Sequence, residues 1–402
     1  MDLELPAEIR DYQGVAAAFA RRDLSPAEVE LDRVPDPAVA FGSETHRRAM
    51  ARGYELGLHK LALSEAAGGL GLGVLAETVV FEELAAGGAG LASQLLVAPV
   101  PATVIDRFGL GERHPVFKDY LRAFVADTKG EHGGAWAITE PGVGSDIFTF
   151  HEPGIRFATR AARAERTHGG YRLQGAKSAF VSNGYLADFF LLMAAVNPDE
   201  GMEGTGVFLV PGDLPGITRG RPLDKLGLRA LNQAEVFFDG VVVPEEFLVL
   251  EPGAAYELLL GWIVIHGNTS VGTLALGVAR AAYDHALGYA KERVQGGRPI
   301  AEHELVAKKL FDAYRSIEAA RALLWRSAWL LDEGTPDLRI AMAARTLASD
   351  TCVHVTSEAI QVMGGYGISR ENPLEKLYRD AKLLQIMDGT VERVSLLAAA
   401  HL

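Results

Sequence analysis

The sequence predicts an α+β chain in three parts: an N-terminal helical domain over residues 1–129, a central β-barrel or antiparallel-sheet domain over 130–250, and a C-terminal four-helix bundle over 251–402. Three observations predict it. Helix formers with helical spacing fill the first third, short β-branched and aromatic runs replace them after Gly130, and the helical period returns beyond Gly253. A chain of 402 residues has room for two or three domains with sizeable cores.

In the first third, the pieces ETHRRAMARGYELGL and LAETVVFEELAAGG each end at glycines, where a helix is expected to stop. The runs GAWAI, YRLQG, SAFVS, FFLLMAAV, GVFLV and EVFFDGVVV follow, separated by Gly, Pro and Asn with no helix between them, as in an antiparallel sheet or barrel. HEPGIRFATRAARAERTHGGY, with its several arginines, reads as a solvated hairpin on that domain. In the last third, Val306, Leu310, Ala313, Ile317, Ala320, Leu324 and Leu331 mark one apolar stripe, and Ala341, Ala344, Ala348, Cys352, Val355, Ala359 and Val362 a second. With segments near Val271–Val294 and Leu374–Ala400 they give four amphipathic pieces on short connections, the pattern of an antiparallel bundle.

Apolar residues make up 49% and charged residues 23%, the composition of a folded globular chain rather than a disordered or collagen-like one. With 52 acidic against 39 basic residues the net charge is −13, and no Lys/Arg block interrupts it. Nucleic acid and anionic membrane are therefore poor partners. The single cysteine, Cys352, excludes an intrachain disulfide and reads as a small core residue. The start, MDLELPAEIRDYQG, lacks the basic and apolar regions of a signal peptide, so a cytoplasmic address is expected. The most apolar stretch, around Leu258–Ile265, falls far short of the ~18 residues of a membrane span.

Three stretches carry chemistry. Trp136-Ala-Ile-Thr-Glu-Pro-Gly-Val-Gly-Ser-Asp146 runs an apolar strand into a loop with Gly142, Gly144 and Ser145, where bare backbone N–H groups can cradle a phosphate. By spacing alone an ordinary strand-to-loop turn explains it equally well. Gly175-Ala-Lys-Ser-Ala-Phe-Val-Ser-Asn-Gly184 joins a strand to a polar end, and alone is a hairpin edge. The third, Gln361-Val-Met-Gly-Gly-Tyr-Gly-Ile-Ser-Arg-Glu-Asn-Pro373, is a Gly-rich break followed by Ile386-Met-Asp-Gly-Thr-Val-Glu-Arg393. There Asp388 could simply cap a helix.

In this order the stretches resemble the acyl-CoA dehydrogenase family of FAD flavoproteins over most of the chain. AITEPGVGSD is similar to the family's first signature, GLRALNQAEVFFDGVVVP to the strand region leaving its β domain, and QVMGGYGISRENPLEKLYRDAKLLQIMDGTVER to its second. The resemblance implies an FAD held by Trp136, Ile138, Thr139, Gly144, Ser145, Phe180 and Ser182, with Ser145 at the pyrophosphate and Phe180 beside the ring. It also implies that Arg293 and Gln295, in Ala290-Lys-Glu-Arg-Val-Gln295, and Gln361, Gly364 and Gly365 reach the FAD of a neighbouring subunit, and that Thr390 and Glu392 belong to the same kind of site. A homotetramer, an acyl-CoA substrate and an electron-transfer flavoprotein as acceptor are the implied partners. No metal is implied.

The chain departs from the family pattern at several positions. Gly296 replaces an aromatic, Asn268 replaces an arginine near the CoA, and Gly267 stands where some relatives carry an alternative glutamate base. Asp388 takes the place of the glutamate base, with Ile386 and Met387 before it able to raise its pKa. Its carboxylate is one methylene, about 1.5 Å, shorter in reach. His266 and His285 titrate near neutrality if free, but a histidine in a bundle is usually packed or on the surface. The leading reading is α-proton removal from an acyl-CoA with hydride transfer to FAD. The alternatives are a nitroalkane-oxidase-like flavin oxidase using Asp388, an inactive flavin-binding partner subunit, and a related monooxygenase or desulfinase.

Overall fold

The structure, a computed structural model, describes residues 4–145, 160–253 and 259–402. Helix α1 (Ala7–Phe19) passes through a π turn, Ala20–Leu24, into α2 (Ser25–Arg33). Asp36 and Ser43 each accept a backbone N–H to cap α3 (Pro37–Gly42) and α4 (Glu44–Glu55). The long α5 (Gly73–Val97), α6 (Val100–Arg107) and α7 (Pro115–Ala126) complete the region.

The glycines expected to end the second helical piece instead mark a kink within α5, where Gly88 alone is extended (φ −172°, ψ 96°). The kink frees N–H groups, and the buried Glu28 accepts two of them, Gly90 N and Leu91 N, each at 3.0 Å. Glu28 also meets Lys376 Nζ at 3.0 Å; Lys376 bonds Asp380 at 2.6 Å, and Asp380 accepts Leu228 N at 2.6 Å. One buried ionic chain thus ties the N-terminal helices, the sheet region and the C-terminal helices together.

The central region is an eight-stranded sheet in the order β6-β7-β3-β2-β4-β5-β8, with β1 pairing parallel to β4. The strands are β1 (Gly134–Ala137), β2 (Arg163–Thr167), β3 (Gly170–Ser182), β4 (Phe189–Ala195), β5 (Thr205–Pro211), β6 (Ile217–Arg219), β7 (Gln233–Pro244) and β8 (Leu248–Leu250). Of the barrel or antiparallel sheet expected, the described residues form an open sheet: β6 and β8, each three residues long, end the path without pairing to one another. The arginine-rich hairpin is solvated only in part. Arg163, Glu165 and Arg166 are exposed on β2, whereas Arg160 is fully buried; residues 146–159 lie outside the described residues.

In the C-terminal third a π turn, Leu259–Ile263, leads into α8 (Val264–Glu292), followed by α9 (Glu304–Asp332) and α10 (Leu338–Met363). Both apolar stripes face the core, with Val306 and Val362 half-buried at their ends and Cys352 fully buried. The helical stretch from Gly261 to Glu292 is apolar and long enough to cross a membrane by composition, and 83% of its most apolar stretch is packed inside the protein. The fourth bundle segment is not continuous. It splits into α11 (Leu374–Leu384) and α12 (Val391–Ala399) around a loop in which Asp388 (φ 51°) and Gly389 (φ 92°) are left-handed.

Candidate active site

That loop opens onto a cavity of about 730 Å³ bounded by α5, α8, the β1 loop, β3 and the start of β7. The β1 loop is held rigidly from behind. Glu140 is buried and bonds Lys177 Nζ at 2.6 Å and the N–H groups of Ala161 and Ala162 at 2.6 and 3.2 Å, with Arg160 at 3.6 Å. Burial, with Arg160 adding repulsion, pushes the Lys177 ammonium down to about 7 against the pull of Glu140. Ile138 O accepts from Arg160 at 2.7 Å and Thr139 O from Ser178 N at 2.9 Å. Glu140 is therefore an anchor with no free valence for catalysis.

The front of the loop faces the cavity, where a Cβ added at Gly142 or Gly144 would meet nothing within 4 Å. Trp136, Ile138, Thr139, Gly144 and Ser145 all line it, together with Phe180 and Ser182 from β3. Phe180 is 62% exposed, into this space, while Ser182 Oγ accepts from Gln233 Nε2 at 3.0 Å. Ser145 Oγ accepts from Thr390 N at 3.2 Å, which joins the β1 loop to the Asp388 loop.

Asp388 projects into the same cavity, its carboxylate making no hydrogen bond among the described residues. The cap of α12 is Thr390, whose Oγ1 accepts from Arg393 N, so the simple capping role for Asp388 is not the one observed. The carboxylate is open to the cavity but deep within the molecule. Withdrawal from bulk water raises its pKa to about 6, against the opposing pull of the Arg345 guanidinium. Across the gap, a Cβ on Gly267 would lie 3.6 Å from Asp388 Oδ2.

His266 is neither free nor simply packed: its Nε2 meets Glu77 Oε1 at 2.6 Å and its ring stacks on Trp262 at 4.8 Å. Ser270 Oγ donates to His266 O at 3.0 Å and lies 3.4 Å from the same Glu77 oxygen. No local pattern marks this cluster, because its members lie 189 and 193 residues apart. His285 is exposed and away from the site.

Among the remaining expected residues, Arg293, Gln295, Gln361, Gly364, Gly365 and Glu392 are exposed and do not line the cavity, and Thr390 touches it only through Ser145. Arg293 caps the far end of α8, whose 29 residues span about 43 Å from the Gly267 end. Gly296 (φ 59°) and Gly297 (φ 80°) form the tight turn between β9 (Val294–Gln295) and β10 (Arg298–Pro299), a backbone that accounts for the missing aromatic.

The lining suits a flavin nucleotide. It is largely apolar, it has room beside Ser145 where a Cβ on Gly142 or Gly144 would meet nothing, and it holds buried polar atoms with no partner among the described residues, Trp136 Nε1, Trp262 Nε1 and Asn268 Oδ1. Comparison with known proteins decides the family. The acyl-CoA dehydrogenase N-terminal, middle and C-terminal domains match residues 6–126, 135–241 and 263–402. The acyl-CoA dehydrogenase of Bacillus subtilis is 33% identical over 385 residues, covering 96% of this chain and 95% of that one. The chain belongs to the acyl-CoA dehydrogenase family.

The solved butyryl-CoA dehydrogenase from Megasphaera elsdenii superposes with a TM-score of 0.87 at 31% identity, covering 100% of this chain and 99% of that one. A chain in the structure described as the electron-transferring flavoprotein of Acidaminococcus fermentans gives 0.87 at 30% identity, with the same coverage. Like its family, this acyl-CoA dehydrogenase is a flavoenzyme that uses FAD to convert an acyl-CoA to the enoyl-CoA.

Proposed function

We propose that Asp388 is the base of this dehydrogenase, removing the proton next to the thioester carbonyl. The observation that carries the reading is a carboxylate in the cavity with no cap and no ion pair of its own, in left-handed backbone opposite a bare Gly267. FAD, when bound, accepts the hydride from the adjacent carbon. Trp136, Ile138, Thr139, Gly144 and Ser145 would hold it on the loop anchored by Glu140, with Phe180 and Ser182 beside the ring. The electron pair of the broken Cα–H bond becomes the new C=C bond as the β-hydride departs, so a carboxylate is the one proton acceptor the step needs.

Arg293, Gln295, Gln361, Gly364 and Gly365, with Thr390 and Glu392 nearby in sequence, are assigned to FAD contacts across a subunit boundary. About 28 Å of helix separates Arg293 from Leu274, the last residue of α8 to line its own chain's cavity, which favours a second copy as the one whose FAD that arginine meets. We assign it a homotetramer with an electron-transferring flavoprotein as acceptor; the outward-facing Arg293 is in keeping with assembly, and the likeness to the A. fermentans chain supports the acceptor. The test is Asp388→Asn, followed by anaerobic mixing with butyryl-CoA and longer acyl-CoAs while the oxidised flavin band is watched. Loss of the base should slow bleaching about a hundredfold or more. Bleaching within a few-fold of wild type would overturn the assignment.

A further inference from the structure

Behind Asp388 lies a charged group outside the cavity that the reaction as described does not use. Arg345, on α10, is fully buried, yet no carboxylate forms a hydrogen bond or ion pair with it among the described residues. Its Nη2 donates to Met387 O at 2.9 Å, the carbonyl immediately before Asp388. Its Nη1 is bonded to Ser349 Oγ one turn along the helix, and that hydroxyl donates to Leu384 O at 3.2 Å, where α11 ends. Both flanks of the Asp388 loop are thereby tied to one face of α10. Nε finds no partner among the described residues, so the guanidinium keeps its charge in low dielectric with incomplete hydrogen bonding, a costly arrangement for mere packing. Space for it exists because Gly272 of α8 sits against its backbone, where a Cβ would come within 3.3 Å of Arg345 Cα.

We propose, building on the assignment of Asp388 as the base, that Arg345 is the positioning residue of this active site: it fixes the Asp388 loop through Met387 O and places a cation behind the carboxylate, while Lys225, the lysine lining the cavity, is bonded to Leu231 O. The surrounding groups leave that role to it. On α8, Gly267 presents no side chain to Asp388 and His266 is bonded to Glu77; on the strand side, Glu140 is committed to Lys177. Arg345 in turn feels Asp388, Asp350 and the Cys352 thiol. A cation behind the base, out of contact with substrate, favours the ionised carboxylate without competing for the proton it must collect. No cofactor role suggests it; the geometry does.

The test uses Arg345→Lys, Arg345→Met and Ser349→Ala in the full-length FAD-loaded protein, alongside Asp388→Asn. Two quantities are read: the rate of anaerobic flavin bleaching against pH, and the infrared band of the protonated Asp388 carboxyl, identified as the difference between wild type and Asp388→Asn. Arg345→Met should move the carboxyl titration and the acid limb of the rate upward by about one pH unit or more, the scale expected on removing a nearby opposite charge. Arg345→Lys should keep both near their wild-type position, because charge is retained, while the rate falls at least several-fold as the Met387 tether is lost. Should Arg345→Met not fold, Ser349→Ala decides, with a smaller rate loss at unchanged thermal stability. An unmoved carboxyl titration in Arg345→Met, or a wild-type rate in both Arg345→Lys and Ser349→Ala, overturns the proposal. If instead Asp388→Asn bleaches normally, the base assignment fails by itself, and the infrared titration still reports whether Arg345 governs this carboxyl.

Discussion

Lowering the pH from 7 to 5 should slow the reductive step of this enzyme about tenfold. With the Asp388 carboxyl raised to about 6, roughly nine in ten molecules carry the ionised base at pH 7, and about one in eleven at pH 5. The protonated acid cannot accept the substrate proton, so the rate rises with pH through about 6 and levels above it. An aspartate at its ordinary value of 3.8 would still be about 94% ionised at pH 5, and the rate would barely change. The assay is kcat/KM for acyl-CoA oxidation, or the second-order rate of anaerobic flavin bleaching, at constant ionic strength from pH 4.5 to 8, because kcat/KM reports groups of the free enzyme. Phosphate groups of the substrate titrate near this range. The residual activity of Asp388→Asn, which should lack the acid limb, separates their contribution. A limb at or below pH 4, or a tenfold fall that persists in the Asn variant, would refute the reasoning.

The same displaced titration has a consequence for stability. Because the folded pKa lies above the unfolded value of 3.8, the ionised carboxylate opposes folding, with a penalty that is absent below about pH 4 and grows as pH rises to about 6. Asp388→Asn should therefore raise Tm more at pH 8 than at pH 4.5, where only about a third of the penalty is present, and an equal rise at both would show that charge is not the cause. Glu140→Gln should lower Tm by several degrees and weaken FAD retention, since it removes the carboxylate shared by Lys177, Arg160 and two backbone N–H groups; breaking a buried pair of this kind costs about 3–5 kcal/mol. Thermal melts with and without added FAD read both effects, and an unchanged melt together with full flavin retention would contradict the anchoring role.

Much of the bundle was legible because periodicity is a local property: Leu310, Ala313, Ile317, Ala320, Leu324 and Leu331 recur at helical spacing, and all are buried. What a composition window misses is topology. Whether β6 and β8 meet depends on strand order and length, so a barrel and an open sheet read alike in sequence. The Gly87-Gly88 pair reads as a stop, and only the distant Glu28, by accepting the freed N–H groups, makes it a kink. Arg345 did leave a local sign. It stands four residues after Ala341, three before Ala348 and seven before Cys352, a cation on a stripe that is otherwise core. A charge at such a position either has a buried partner or a task. The Glu77–His266–Ser270 cluster left no such sign, since it forms only where α5 packs on α8.

The shorter carboxylate of the proposed base is best understood through its backbone. From sequence, aspartate in place of glutamate implies a carboxylate set back from its target, with either a helix brought closer or a bulkier or differently placed substrate to compensate. The structure answers differently, because Asp388 is not in a helix. It is one of three non-glycine residues with positive φ among the described residues, with Asn183 and Leu228. Aspartate enters the left-handed region more readily than residues with longer side chains, since its short polar side chain is tolerated there. Fewer rotatable bonds also leave less freedom to freeze when the carboxylate must hold one direction. Aim is thus set by the main chain, through the hydrogen bond from Arg345 to Met387 O and the left-handed turn that follows, rather than by the side chain. Gly267 puts no side chain opposite Oδ2, where a Cβ would reach contact at 3.6 Å and anything longer would crowd the carboxylate. Residue 388, its tether and its facing glycine consequently act as one unit.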